Sequence, residues 1–259
     1  MSEINLQITD EFKAYHLPFL WSYHTGLFDA NGIKINFCRE APVESSKTIG
    51  FEFNNVLSPQ ITLLEGVNLE LLYLDDLNLS KKLIVGAPTV GGLDTDQFTA
   101  LLADKFDDFE LSVLDTQTLV EGIYSKQLDA IVGFDLLHRI QLEDYGMRIN
   151  KYSNIVKTRL LDLKVDLVCG LRNINDDEAA KIKRCLTCAI EQILSDPLDT
   201  LGDISTFVPE LDCDFQLRIL ERSFPYFVKS KMKHSAAINY QQFKSFQDEA
   251  GGFHRICIE

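Results

Sequence analysis

The stretch Leu83-Ile84-Val85-Gly86-Ala87-Pro88-Thr89-Val90-Gly91-Gly92-Leu93-Asp94-Thr95-Asp96-Gln97-Phe98 decides how this chain is read. A short apolar run of strand length ends in a Pro/Gly loop, and the loop opens onto a helix. Asp94 and Gln97 stand three apart. At that spacing the aspartate takes a free amide of the first turn and the glutamine reaches back to the N–H of the cap. Such a loop offers backbone N–H groups and a positive helix end to a small polar or anionic ligand. The same features also serve an ordinary βα turn.

Working outward, the rhythm repeats on both sides. Upstream, residues 6–8, 33–37, 49–53 and 69–74 read as strands, with helices at 16–30 and 54–65 ended by Gly32 and Gly66. Downstream, strands at 109–114, 128–134 and 164–170 alternate with helices at 94–106, 116–125 and 135–145. Two α/β runs are then followed by helices at 176–194, 212–223 and 239–250. This tail has too little strand for a domain of its own, so it must pack on a lobe already made. The expected chain path crosses to a second lobe near residues 75–82 and returns near 152–164. Lobe one is then residues 1–80 plus 160–259 and lobe two is 81–159, with a hinge and an interlobe cleft where strand ends and helix starts converge.

Composition narrows the partners. The chain has 259 residues, 46% of them hydrophobic, which is ample for a sizeable core. A formal net charge of −14 argues against nucleic acid, which demands clustered lysine and arginine. No apolar run is long enough to span a bilayer, so no membrane insertion is expected. The first eight residues form neither a basic nor an apolar leader. Six scattered cysteines suit reduced thiols better than a disulfide framework, and both features point to the cytoplasm. Cys185 and Cys188 form a C-x-x-C inside a helical segment, without a second pair at metal-ligand spacing. A buried helix face is the reading there. Neither a metal nor a cofactor is expected.

Here a resemblance becomes visible. Residues 17–37 contain Gly26-Leu27-Phe28 and Gly32-Ile33, and this segment is similar to the opening of the type II solute-binding proteins. These are the alkanesulfonate, nitrate and thiamine-precursor binding proteins, with the related thiamine-pyrimidine synthase-like proteins. Leu83-Ile84-Val85-Gly86 with Thr95-Asp96 resembles the family's second-lobe opening. Gln127-Leu128-Asp129-Ala130 resembles its "G-x-x-D-A" phrase, with Lys126 or Gln127 where glycine is usual. The likeness spans roughly residues 6–169 and implies an α/β, two-lobed type II periplasmic-binding-protein-like fold whose C-terminal helices pack on lobe one. The synthases carry a cysteine-dense, iron-linked motif that Cys169, Cys185 and Cys188 do not reproduce, which argues against a synthase activity.

In this architecture ligand contacts lie at the carboxyl ends of strands. On lobe one these are Phe12, Lys13, Tyr15 and His16, then Glu52, Phe53 and Asn54, then Tyr73. On lobe two they are Thr89, Gly91 and Gly92, then Phe134 and Asp135, with Arg172 on the returning strand. Aromatic rings with a few carboxylates and amides suit a planar, nitrogen-bearing heterocycle such as a thiamine-pathway pyrimidine. Asp94 at the helix start and Glu52 favour a neutral or partly cationic ring over a sulfonate or phosphate. His24 reads as a packed histidine, and the one-turn spacing of Asp135 and His138 is too common to mean catalysis. The leading expectation is a cytoplasmic small-molecule-binding protein. The alternatives are a cofactor-independent lyase or dehydratase using Glu52 or His16 as acid/base, and a regulatory or interaction module derived from a binding protein.

Overall fold

The computed structural model describes residues 1–7, 11–38, 42–55, 61–74, 77, 81–147 and 156–227. The strands are β1 (Ser2–Gln7), β2 (Ile33–Cys38), β3 (Thr48–Asn54), β4 (Ile61–Leu74), β5 (Leu83–Pro88), β6 (Phe109–Leu114), β7 (Ala130–Phe134) and β8 (Val156–Arg172). The helices are α1 (Leu17–His24), α2 (Leu27–Ala30), α3 (Thr95–Leu102), α4 (Thr116–Tyr124), α5 (His138–Asp144), α6 (Asp176–Ser195), α7 (Pro197–Phe207) and α8 (Asp214–Ser223). Two compact units result. The first comprises Met1–Phe51, Pro59–Glu65 and Val168–Glu259, and the second comprises Glu52–Ser58 and Gly66–Leu167.

In the first unit β1 lies between β2 and β3 and runs parallel to both. Ile4 and Leu6 of β1 are buried, as period-two alternation requires. α6 buries Ile182, Leu186, Ala189 and Ile193, and together with α7 it packs against α1. The C-terminal helices therefore belong to this unit, as expected. Cys185 points into the same layer and donates to the Leu27 carbonyl oxygen. The start of α6 is held by reciprocal capping, in which Asn175 Oδ1 accepts from the Glu178 N–H at 3.0 Å. The Glu178 carboxylate accepts from Lys47 Nζ and from Ser2 Oγ. These two hydrogen bonds hold its pKa down to about 2.

In the second unit β5 runs parallel to β6 and β7, while β4 runs antiparallel to β7. Leu119, Val120 and Ile123 of α4 and Leu142 of α5 share one apolar layer with Leu72, Leu128 and Ile131. Each such leucine or isoleucine contributes about 1.5–3 kcal/mol by leaving water, which fixes both helices against β7.

Several expectations need correction. Where a helix was expected at 54–65, the described residues give strand instead: Asn54 closes β3, and residues 61–65 open β4 with Ile61 and Leu63 buried and Glu65 exposed. Gly66, read as a helix stop, lies inside the 14-residue β4 with φ 71°, and its N–H donates to Asp166 Oδ1 at 2.8 Å. A left-handed residue in a strand is the glycine-specific feature that pattern reading took for a cap. The unit boundaries consequently fall inside β3, β4 and β8, not in linkers near residues 80 and 160, and Glu52–Ser58 belongs to the second unit. The helix expected at 16–30 is divided into α1 and α2 at Gly26. Pro197 lies just beyond the end of α6 and occupies the first turn of α7, where its missing N–H costs nothing. The expected helix at 239–250, Cys257 and the segment 148–149 lie outside the described residues.

Candidate functional site

The carboxyl end of β3 carries Phe51-Glu52-Phe53-Asn54, and strand alternation sets Glu52 and Asn54 on the side opposite to the two phenylalanines. Asn54 Nδ2 donates to Glu52 Oε1 at 3.2 Å, so an amide and a carboxylate stand side by side. The loop that follows β5 pairs with this strand end. The Gly91 N–H donates to the Phe53 carbonyl oxygen at 2.7 Å, and the Asn55 N–H donates to the Gly91 carbonyl oxygen at 2.9 Å. A Cβ at Gly91 would stand 3.0 Å from Asn54 Nδ2, and this close approach is why glycine suits the position. Phe53 stacks on Phe134 at the end of β7, with ring centroids 3.9 Å apart and planes 21° from parallel. Asp135 follows directly. Its N–H donates to the Asn68 carbonyl oxygen, and its carboxylate accepts from Asn68 Nδ2 at 3.1 Å.

Glu52, Asn54, Gly91, Gly92, Phe134 and Asp135 come from three separated stretches, and the second unit gathers them around the ends of β3, β5 and β7. Thr89 is exposed in the same loop. Three of the loop's amides are engaged within the protein. Those of Gly91, Leu93 and Asp94 donate to Phe53, Val90 and Gln97 respectively. The capping box itself is present, with Asp94 Oδ1 accepting from the Gln97 N–H at 2.9 Å.

Two predicted residues stand elsewhere. Tyr73 was expected at a carboxyl strand end beside the others, but β4 is antiparallel to β7. Tyr73 therefore pairs with Ala130 at the opposite end of β7 from Phe134, which pairs with Leu69. Arg172 donates to Thr48 Oγ1 at 3.2 Å, at the amino end of β3. Six residues of strand, roughly 20 Å, separate Thr48 from Asn54.

Phe12, Tyr15 and His16 form their own aromatic group in the first unit. The His16 ring lies 4.5 Å from Phe51, 4.5 Å from Tyr15 and 5.9 Å from Phe12. His16 Nδ1 accepts from the Lys13 N–H at 3.1 Å. Burial, helped by the Lys13 ammonium, pushes its pKa down to about 3, so the ring is neutral at physiological pH. An imidazole held so far from neutrality is poorly matched to general acid/base work.

His24, read as a packed residue, is exposed, whereas His138 is fully buried and organises the site's edge. Its Nδ1 accepts from the Phe134 N–H at 2.9 Å, and its ring rests on Gly133. The signal available in the sequence was the glycine directly before the strand-ending phenylalanine. Asn68 and Phe51 left no such trace, since only tertiary pairing gives them partners. A separate cavity of about 520 Å³ in the first unit is walled by Trp21 and by Glu191, Asp196, Asp199 and Asp203, and contains none of the predicted residues. Among the described residues no group of three or more His, Cys, Asp or Glu is placed to hold a metal ion. No described helix is long and apolar enough to cross a membrane.

No protein-family model and no curated protein sequence matches the chain. Solved structures do match. The alkanesulfonate-binding protein SsuA from Xanthomonas axonopodis pv. citri bound to MOPS aligns at a TM-score of 0.54 with 12% identity, over 96% of this chain and 93% of that one. The periplasmic aliphatic sulphonate binding protein SsuA from Escherichia coli aligns at 0.53 with 12% identity, over 97% and 88%. The Candida albicans CA3427 gene product, described as a new family exhibiting the generic periplasmic binding protein fold, aligns at 0.53 with 10% identity, over 96% and 90%. Agreement over nearly the whole length at so low an identity is agreement of architecture, and the chain has the two-lobed periplasmic-binding-protein-like fold.

Proposed function

We propose that this protein is a cytoplasmic small-molecule-binding protein whose ligand is a small planar heterocycle, neutral or partly cationic, such as a thiamine-pathway pyrimidine. The observation that carries the reading is the Glu52–Asn54 pair at the end of β3 beside the Gly91 loop, with the Phe53–Phe134 stack on the other side of the strand. A carboxylate and an amide held side by side match a flat ring that bears hydrogen-bonding nitrogens. Two neighbours of the same fold are sulfonate-binding proteins, which supports solute binding as the class of activity. The charge differs from what a sulfonate needs. Glu52 and Asp135 are acidic, and the loop amides of Gly91, Leu93 and Asp94 are engaged within the protein. Five free cysteines among the described residues support a reducing compartment.

Thermal-shift measurements across pyrimidines, thiamine precursors, sulfonates and small carboxylates test this reading. A ligand at a hundredfold excess over its Kd stabilises by about 2.7 kcal/mol. The expected result is a rise in Tm with an aminopyrimidine, reduced by Glu52→Gln and by Asn54→Ala. A panel that leaves Tm unmoved, or one in which sulfonates alone raise it, overturns the reading.

A further inference from the structure

The first turn of α5 carries three buried polar atoms with no hydrogen-bond partner among the described residues: His138 Nε2, Arg139 Nε and Gln141 Oε1. His138 is 0% exposed. Because its Nδ1 accepts the Phe134 N–H, the neutral ring carries its proton on Nε2, which is therefore a donor. The ring rests against Gly133 of β7, and Glu70 stands directly opposite Gly133 in the β4–β7 pair. Residues paired in this way project to the same side of a sheet, so Glu70 and His138 share a side. Arg139 Nη1 lies 3.8 Å from Glu70 Oε1, which balances its charge and leaves its Nε–H as a second donor. Gln141 is one helical turn from His138 and supplies a carbonyl oxygen on the same helix face.

A buried polar group without a partner costs about 1–3 kcal/mol, and native proteins rarely leave one so. Three in a single turn call for a shared partner. We propose that this side of the second unit is an internal site for bound water, which accepts from His138 Nε2–H and Arg139 Nε–H and donates to Gln141 Oε1. Water is the guest whose chemistry fits. It accepts and donates at once, and buried waters typically make about three protein hydrogen bonds. An anion has no proton for Gln141 and meets the Glu70 carboxylate. A cation meets two N–H donors. The bound water links the start of α5 to the end of β7, where Phe134 and Asp135 stand. The inference is independent of the identity of any ligand.

The test uses the full chain. Water-oxygen relaxation dispersion counts long-lived waters in the wild type and in Gln141→Leu, and urea unfolding compares their stability. The expected result is a loss of about one long-lived water in the variant, with no rise in its unfolding midpoint. Equal dispersion, or a variant with a higher midpoint, overturns the proposal, because removing a dry, unpaired carbonyl stabilises. Should the variant fail to fold, histidine-selective 15N labelling of the wild type decides. A cross-relaxation peak between His138 Nε2–H and a slowly exchanging water supports the site, and a resolved Nε2–H resonance without one refutes it.

Discussion

Gly133→Ala places a methyl group where the second unit has no room for it. An added Cβ would lie 2.9 Å from His138 Cβ, 3.0 Å from its Cγ and 3.2 Å from its Nδ1. Carbon atoms settle at about 3.5–4.0 Å, so the overlap is roughly half an ångström to a full one. The neighbour cannot swing aside. His138 Cβ is one bond from the backbone of α5, and Nδ1 is tied to the Phe134 N–H at 2.9 Å. Relief therefore requires α5 to lift from β7 as a body, disturbing the apolar layer that contains Leu142. Overpacking of this kind costs about 1–3 kcal/mol, and weakening the Phe134–His138 hydrogen bond adds about 1. The smaller unfolded-state entropy of alanine returns about 0.4–1 kcal/mol. The net expectation is a loss of about 1–3.5 kcal/mol, read as a lower urea midpoint with an unchanged slope. Gly50→Ala in β3 is the matched control: nothing lies within 4 Å of its added Cβ, and it is expected to be neutral or stabilising. If Gly133→Ala unfolds at the midpoint of wild type or of this control, the packing of α5 on Gly133 is not what holds that edge.

Acid should destabilise the fold through its buried histidines. His16 and His138 are both pushed down to about 3 from an ordinary 6.5, chiefly by burial. Between those values the unfolded chain binds protons that the folded chain declines. Stability is therefore full above pH 6.5 and falls as pH drops, by about 1.4 kcal/mol per unit for each ring within the window. Glu178, held at about 2 against an ordinary 4.5, adds a loss in the same direction below pH 4.5. Urea midpoints that stay flat from pH 7 to pH 5 would contradict this, and His138→Phe should make the dependence shallower. Asp94→Ala removes the cap of α3 and should cost about 1 kcal/mol, measured by chemical unfolding, while Asp94→Asn should retain most of it.

Local regularities of the chain were legible because their causes are local. β6 at 109–114 and the start of α6 at 176 follow from alternation and from the Asn175–Glu178 box, and both stand where the pattern put them. The capping box of Asp94 and Gln97 is read from two residues and needs no partner beyond them. The strand at 61–65 was not legible. Its apolar residues admit a helical reading, and the glycine at its end mimics a stop. Tyr73 was misplaced for a different reason. Which strand end faces which neighbour depends on strand direction, and β4 shows its direction only by pairing antiparallel with β7.

The opening stretch shows the same division. By itself the sequence determined that residues 83–98 make a strand, a glycine loop and a capped helix, since apolar periodicity and cap chemistry act within a few residues. What the loop does was decided by the tertiary structure. Gly91 spends both backbone groups on the end of β3, which brings Glu52 and Asn54 beside it and engages an amide that a lone loop would have offered to an anion. Hydrogen-bonding capacity belongs to each residue, but its use depends on what the fold places within reach.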